Sequence, residues 1–181
     1  MSKNILYLMV PIILACNFLI PPSRQGNTPP PTPLEPAPEQ STASTPEVYS
    51  ASSFTIARIH TQGGDLLMQL TVETQKAKEL HQLPFIEFDA TWCPPCNAIN
   101  KSIKAEDPIT MQAFENVYLI RADVDEWGWG DGANFNFDAI PIYYQLDENG
   151  RPTGVSMDGG AWNEDIPENF SPVLDEFFHT K

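Results

Sequence analysis

Cysteine is scarce in this chain: 181 residues contain three, at positions 16, 93 and 96, and the three histidines, His60, His81 and His179, stand apart. A structural zinc site needs a second Cys or His pair to complete a tetrahedron, so the pair 93/96 has no partners for one, and no metal is expected. Basic residues are few as well. Ten Lys and Arg against 24 Asp and Glu leave a net charge of −14, a surface that repels phosphate backbones, and nucleic acid is excluded as a partner on that ground. Long apolar runs are also missing. The longest, ILYLMVPIILA after Lys3, has eleven residues, too short to span a bilayer but of the length of a signal-peptide core. Internal repeats are absent.

Proline, by contrast, is abundant. Half of the 18 prolines fall between Pro21 and Pro46, in a stretch dominated by Pro, Ser, Thr and Gln that alternates with neither strand nor helix period. Such a segment buries too little apolar surface to offset its ordering entropy and reads as an extended tether. The expected organisation is a signal sequence over 1–15, a disordered tether over 16–47 and a folded domain over 48–181. The apolar run ends in Ile13-Leu14-Ala15-Cys16, which resembles the box before the lipid-modified cysteine of bacterial lipoproteins, with Ile13 where leucine is usual. The resemblance implies an exported protein of the cell envelope, lipid-anchored to the membrane through Cys16. A simple cleaved signal with an incidental cysteine is the alternative.

Within the domain, SFTIARI approximates strand alternation and TQGGD breaks it. Thr71 is a candidate cap for a helix to about Gln82, with Val72, Ala77 and Leu80 inward and Lys76, Lys78 and Glu79 outward. The preceding DLLMQL fits strand or helix. PFIEF from Pro84 is the apolar run of a strand buried on both faces, and it leads into TWCPPC. NAINKSIKA continues as a helix with Cys96, Ile99 and Ile103 on one stripe, PITMQAF as a second helical piece, and NVYLIRADVD as another buried strand. IPIYYQLDENGRPTGVSM reads as two strands around a DENG turn, and Ser171-Pro172 as the start of a last helix burying Val173, Leu174, Phe177 and Phe178. The order β, α, β, α, β, β, β, α predicts an α/β domain with a central mixed sheet flanked by helices.

Cys93 and Cys96 admit three roles: a stabilising bridge, metal ligands, or thiol–disulfide exchange. A bridge across so short a loop removes little entropy from the unfolded chain. Exchange has a positive argument. Prolines are tolerated in a first helical turn, so Cys93 sits at a helix N-terminus, where the dipole stabilises its thiolate. The spacing puts Cys96 on the same face, within reach of a mixed disulfide on Cys93. A pair of this kind after a buried strand and at a helix start predicts Cys93 as the more exposed, attacking thiol and Cys96 as the resolving one.

TWCPPC in this setting resembles the Trp-Cys-x-x-Cys site of the thioredoxin superfamily, over about residues 50 to 181, and Ile140-Pro141 resembles that family's cis-proline loop. Glu87 lies six residues before Cys93, where many members carry a buried carboxylate, more usually aspartate. The resemblance implies a thioredoxin-like fold and a thiol–disulfide oxidoreductase needing no cofactor. It assigns nucleophile and resolving thiol to Cys93 and Cys96, proton transfer for Cys96 to Glu87, shielding of the pair to Trp92 and binding of substrate backbone to Ile140 and Pro141. The expected partners are protein disulfides or dithiols and a membrane electron donor; signal, tether and domain together look like membrane-tethered thioredoxin-like lipoproteins of bacteria. Phe85, Ile86 and Phe88 argue that Glu87 is buried; turned to solvent, it would lose the proton-transfer role. Pro94 and Pro95 offer no N–H to a thiolate, which favours the disulfide form and predicts a reductase. A non-catalytic binding module that has kept its cysteines is the competing reading. EWGWGDGANFNF, 126–137, is either a recognition loop or a segment whose Trp127 and Trp129 pack over the sheet edge. Asp123, Asp125 and Gly128 do not complete a calcium loop, since Trp127 and Asn134 occupy ligand positions.

Overall fold

The computed structural model describes residues 47–51, 53–130 and 134–180. The expected signal sequence, Cys16 and the tether as far as residue 46 lie outside the described residues. Among the described residues no helix is long and apolar enough to cross a membrane.

Six strands form one mixed sheet in the order β1-β2-β4-β3-β5-β6. Its centre is the nearly continuous apolar segment predicted to be buried: β3, Leu83–Asp89, lies parallel to β4, Val117–Asp123, and β4 parallel to β2, Thr55–Ile59. β5, Ile142–Leu146, and β6, Pro152–Asp158, extend the sheet antiparallel on one side. The turn between them brings Gly150 against helix α1, Leu66–Glu79; its φ is 74° and a Cβ there would lie 2.6 Å from the Leu70 carbonyl carbon. Only glycine satisfies both demands without displacement. On the other side β1, Glu47–Ser50, pairs antiparallel with β2. It was not anticipated as a strand, because Glu47, Val48 and Tyr49 are all exposed and leave no alternating pattern to read.

Successive residues of the central strands point to opposite faces. Ile86, Phe88, Ile120 and Tyr144 join Leu70 and Ala77 of α1 in one apolar cluster. Phe85, Leu119 and Tyr143 join a second with Ile99 and Ile103 of α2, Pro94–Lys104, Ala113 of α3, Pro108–Ala113, and Phe170, Leu174 and Phe178 of α5, Pro167–His179; the single-turn α4, Val124–Trp127, directly follows β4. The predicted α/β fold, a central mixed sheet flanked by helices, is thus the one observed.

Two helix starts differ from expectation. Helix α1 begins at Leu66, capped by the Asp65 carboxylate, which accepts from the Met68 N–H at 3.2 Å. Thr71 lies inside it, its hydroxyl bonded back to the Leu67 carbonyl at 2.8 Å, as threonine in a helix interior does. The buried stripe is consequently Leu70, Glu73, Thr74 and Ala77, and Val72 and Leu80 are about half exposed. Glu73 tolerates burial because the Tyr118 hydroxyl donates to it at 2.6 Å and Lys76 pairs with it at 2.7 Å. Helix α5 begins at Pro167, and Pro172 lies inside it. Ser171 does not cap; its hydroxyl is buried against that of Thr110 at 3.0 Å.

Candidate active site

Strand β3 delivers the chain to the site, and α2 carries the cysteines. Cys93 is the N-cap of α2 and is joined to Cys96 by a disulfide, with the Cα atoms 5.3 Å apart. Pro94 and Pro95 open the helix as expected. The amide that remains, Cys96 N–H, donates to Cys93 Sγ at 3.3 Å, and the Cys93 N–H donates to the Ala90 carbonyl at 3.2 Å. A Cys93 thiolate would therefore face a helix N-terminus and one backbone donor. The expected greater exposure of Cys93 is not observed in this oxidised pair: both residues are 1% exposed. The bridge folds the Cys93 side chain back over the first turn of α2, into the cluster that holds Phe88 and Ala90.

The Ile140–Pro141 peptide bond is cis. Ile140 packs against the cluster containing both cysteines, and Pro141 precedes β5 with its carbonyl accepting from Gly159 N–H at 2.9 Å. Pro141 is buried.

Glu87 is buried, on the α2 face of β3 in alternation with Phe85. Register explains its partners: Arg121 of β4 and Tyr143 of β5 stand directly opposite it on either side. Arg121 Nε donates to Glu87 Oε2 at 2.6 Å and the Tyr143 hydroxyl to Oε1 at 2.9 Å. Arg121 also donates to the side-chain oxygen of Asn100 on α2. Burial pushes the Glu87 carboxyl above its ordinary range; Arg121 opposes this and the nearby Asp89 adds to it. The Tyr143 hydroxyl is likewise pushed up, first by burial and then by the Glu87 charge. No hydrogen bond joins Glu87 to either cysteine among the described residues; its two oxygens are committed to Arg121 and Tyr143. A charge so compensated does little to disfavour a thiolate.

Two residues further along β3, the buried Asp89 forms a second ion pair, with the partly exposed Arg58 of β2 at 2.9 and 2.6 Å through both guanidinium nitrogens. Arg121, Tyr143, Asn100, Arg58 and Asp89 were not anticipated. A usable signal existed in YLIRAD, where one arginine interrupts a strand otherwise fit for burial and demands an acid on a neighbouring strand.

At the mouth, Trp92 is 54% exposed and its indole N–H donates to Asp125 at 2.9 Å. Trp127 and Trp129 of the segment 126–137 are placed differently. Trp127 is half-buried, packs against the cluster that holds Ile59 and Val124, and its N–H reaches the Ile59 carbonyl at 3.3 Å. Trp129 is exposed and lies beside Trp92.

No family model matches the chain. It is similar to Thioredoxin H4 of Arabidopsis thaliana, 32% identical over 73 residues, which are 40% of this chain and 58% of that protein. It is also similar to Thioredoxin-2 of Pyricularia oryzae, 38% identical over 50 residues, 28% of this chain and 27% of that protein. The matches thus span about half and a quarter of those relatives. Among solved structures, the thioredoxin of Trichomonas vaginalis aligns with a TM-score of 0.42 and 20% identity over 68% of this chain and 96% of that one. A disulphide isomerase from Xylella fastidiosa Temecula1 aligns with a TM-score of 0.43 and 18% identity over 64% of this chain and 89% of that one. The thioredoxin superfamily expected from TWCPPC and Ile140-Pro141 is thus supported by curated sequence relatives.

Proposed function

We propose that this protein is a thiol–disulfide oxidoreductase that works as a reductase of disulfides in exported proteins. The observation that carries the exchange chemistry is the Cys93–Cys96 disulfide at the N-terminus of α2, with the Cys96 amide on Cys93 Sγ. In the dithiol form the Cys93 thiolate attacks one sulfur of a client disulfide; that S–S bond breaks, and the displaced client thiolate takes up a proton. The resulting mixed disulfide is attacked by Cys96 after it loses its proton, which releases the second client sulfur. Two electrons and two protons pass to the client, leaving the Cys93–Cys96 disulfide. A membrane electron donor then passes two electrons to the Cys93–Cys96 disulfide, which takes up two protons and returns to the dithiol.

The direction of electron flow rests on the two prolines, which deny a Cys93 thiolate the N–H donors of their positions and so favour the disulfide form of the protein. Export and a lipid anchor at Cys16 rest on the sequence of the N-terminus alone. A membrane-held, lipid-anchored reductase of the cell envelope, on a proline-rich tether, is the arrangement these features favour together. Glu87 enters this reading as a residue that positions and charges the floor of the site through Arg121 and Tyr143.

Two measurements test the reading. The reduced chain should reduce insulin; Cys93→Ser should abolish this, and Cys96→Ala should trap mixed disulfides with clients. Full activity of Cys93→Ser would refute the assigned roles, whereas a wild-type chain that fails to reduce insulin would favour a binding module. Its reduction potential against glutathione should lie near the roughly −270 mV of thioredoxin; a value above about −180 mV would make it an oxidase or isomerase instead.

A further inference from the structure

The exposed faces of Trp92 and Trp129 take no part in the steps above, yet they are held so as to be presented. The Trp92 and Trp129 rings lie 6.4 Å apart with 36° between their planes. Behind Trp129 stands Phe137 at 5.9 Å, and behind Phe137 stands Phe88 of β3 at 4.6 Å. The two exposed indoles are the outer end of a column of rings rooted in the core. The loop pays for this with glycine: Gly130 has φ 84°, and a Cβ there would come within 2.3 Å of the Phe135 carbonyl oxygen.

Charge defines what such a surface attracts. Asp125, bonded to the Trp92 N–H, and Asp138, next to Phe137, are both exposed, and no lysine or arginine occurs between residues 122 and 150. Glu126 is engaged with His60, at 3.0 Å. An apolar side chain would gain from the indoles alone. A guanidinium or ammonium group gains from the ring faces and from the Asp125 carboxylate beside them, and guanidinium stacks on indole best.

We propose that Trp92 and Trp129 form a subsite for a cationic side chain, arginine before lysine, next to the reactive cysteine of a client polypeptide. The inference rests on the thiol-exchange reading, because Trp92 immediately precedes Cys93 and so places the subsite beside the client sulfur. It names the clients by chemistry: proteins whose reducible cysteines are flanked by basic residues.

The full chain, reduced with dithiothreitol, is assayed against two synthetic cystine-bridged octapeptides that differ only in Arg or Glu after each cysteine, with 2-hydroxyethyl disulfide as a reference substrate. The Arg peptide should be reduced about tenfold faster at low salt, and the ratio should shrink at high salt. Trp129→Ala should bring the ratio most of the way toward one. Asp125→Asn keeps an acceptor for the Trp92 N–H while removing the charge, and should lower the ratio in part. Equal rates for the two peptides would overturn the subsite, as would a preference that both substitutions leave untouched, since the net charge of the chain would then explain it. Failure of the wild-type chain to reduce 2-hydroxyethyl disulfide would sink the thiol-exchange reading itself, separately from the subsite.

Discussion

Beneath α2, Glu87, Arg121 and Tyr143 are almost wholly out of water, whereas Trp92 and Trp129 at the mouth present about half their surface to it. The floor is an ion pair and a tyrosine hydroxyl held by strand register, with Arg121 and Tyr143 each directly opposite Glu87 on a neighbouring strand. The rim is a set of rings held by a glycine-containing loop. Removing one member of the floor's ion pair leaves an unpaired charge where no water can reach it; removing one member of the rim leaves a shallower surface. The floor therefore bears on folding and on the environment of the thiols, and the rim on what approaches them.

The sharpest way to break this contrast is Arg121→Met. It strands the Glu87 charge, and a loss of about 3–5 kcal/mol in urea unfolding is expected. Replacing both, Arg121→Met with Glu87→Met, should recover much of that loss, because no buried charge is left without a partner. A single variant that loses less than about 1 kcal/mol would show that water enters beneath α2.

Trp127, the last residue of α4, and Trp129, two residues on, sharpen the same contrast at smaller scale. Trp127→Ala removes a half-buried ring and the hydrogen bond to Ile59, and should cost about 1–3 kcal/mol in thermal or urea unfolding, whereas Trp129→Ala should stay within about 0.5 kcal/mol. Equal losses would mean that the rim is as integral to the fold as the packed ring of Trp127.

A third test uses pH. The Glu87 carboxyl titrates above its ordinary value of 4.5 in the folded chain, chiefly through burial. The folded state then holds this proton more tightly than the unfolded chain, so the stability it confers is complete below pH 4.5 and falls as pH rises through the folded value. Glu87→Gln should abolish this decline between pH 4.5 and the raised value, as followed by urea unfolding at stepped pH. An identical pH profile in the variant would assign the decline to other groups.

The smallest effect belongs to the far end of α5. Burial acts to lower the His179 value, but bonds to the Glu115 carbonyl and to Asp175 outweigh it and raise it above 6.5. Its stabilising charge is present below pH 6.5 and lost as pH rises through the folded value, so His179→Gln should flatten a shallow step there without touching insulin reduction.

The legible parts of the sequence were those in which chemistry and period coincide. Cys93 and Cys96 are three apart after an apolar run, and Ile99 and Ile103 continue the stripe of Cys96. Strand β1 was illegible because its pattern carries no buried face, and α1 began a turn early because Asp65, not Thr71, caps it. Trp127 and Trp129 are two residues apart in a segment without period, and nothing local separates a packed indole from an exposed one.

Taken alone, the sequence determined the alternation of strand and helix, the placement of a cysteine pair at a helix start and the acidity of the surface, because each depends on residues near in the chain or on composition. The tertiary structure alone decided that Glu87 meets Arg121 and Tyr143, that Asp89 meets Arg58, and that Trp129 comes to lie beside Trp92. The pairings of Glu87 arise from strand order and register at sequence separations of up to 56, and no local period encodes which strand becomes the neighbour of which.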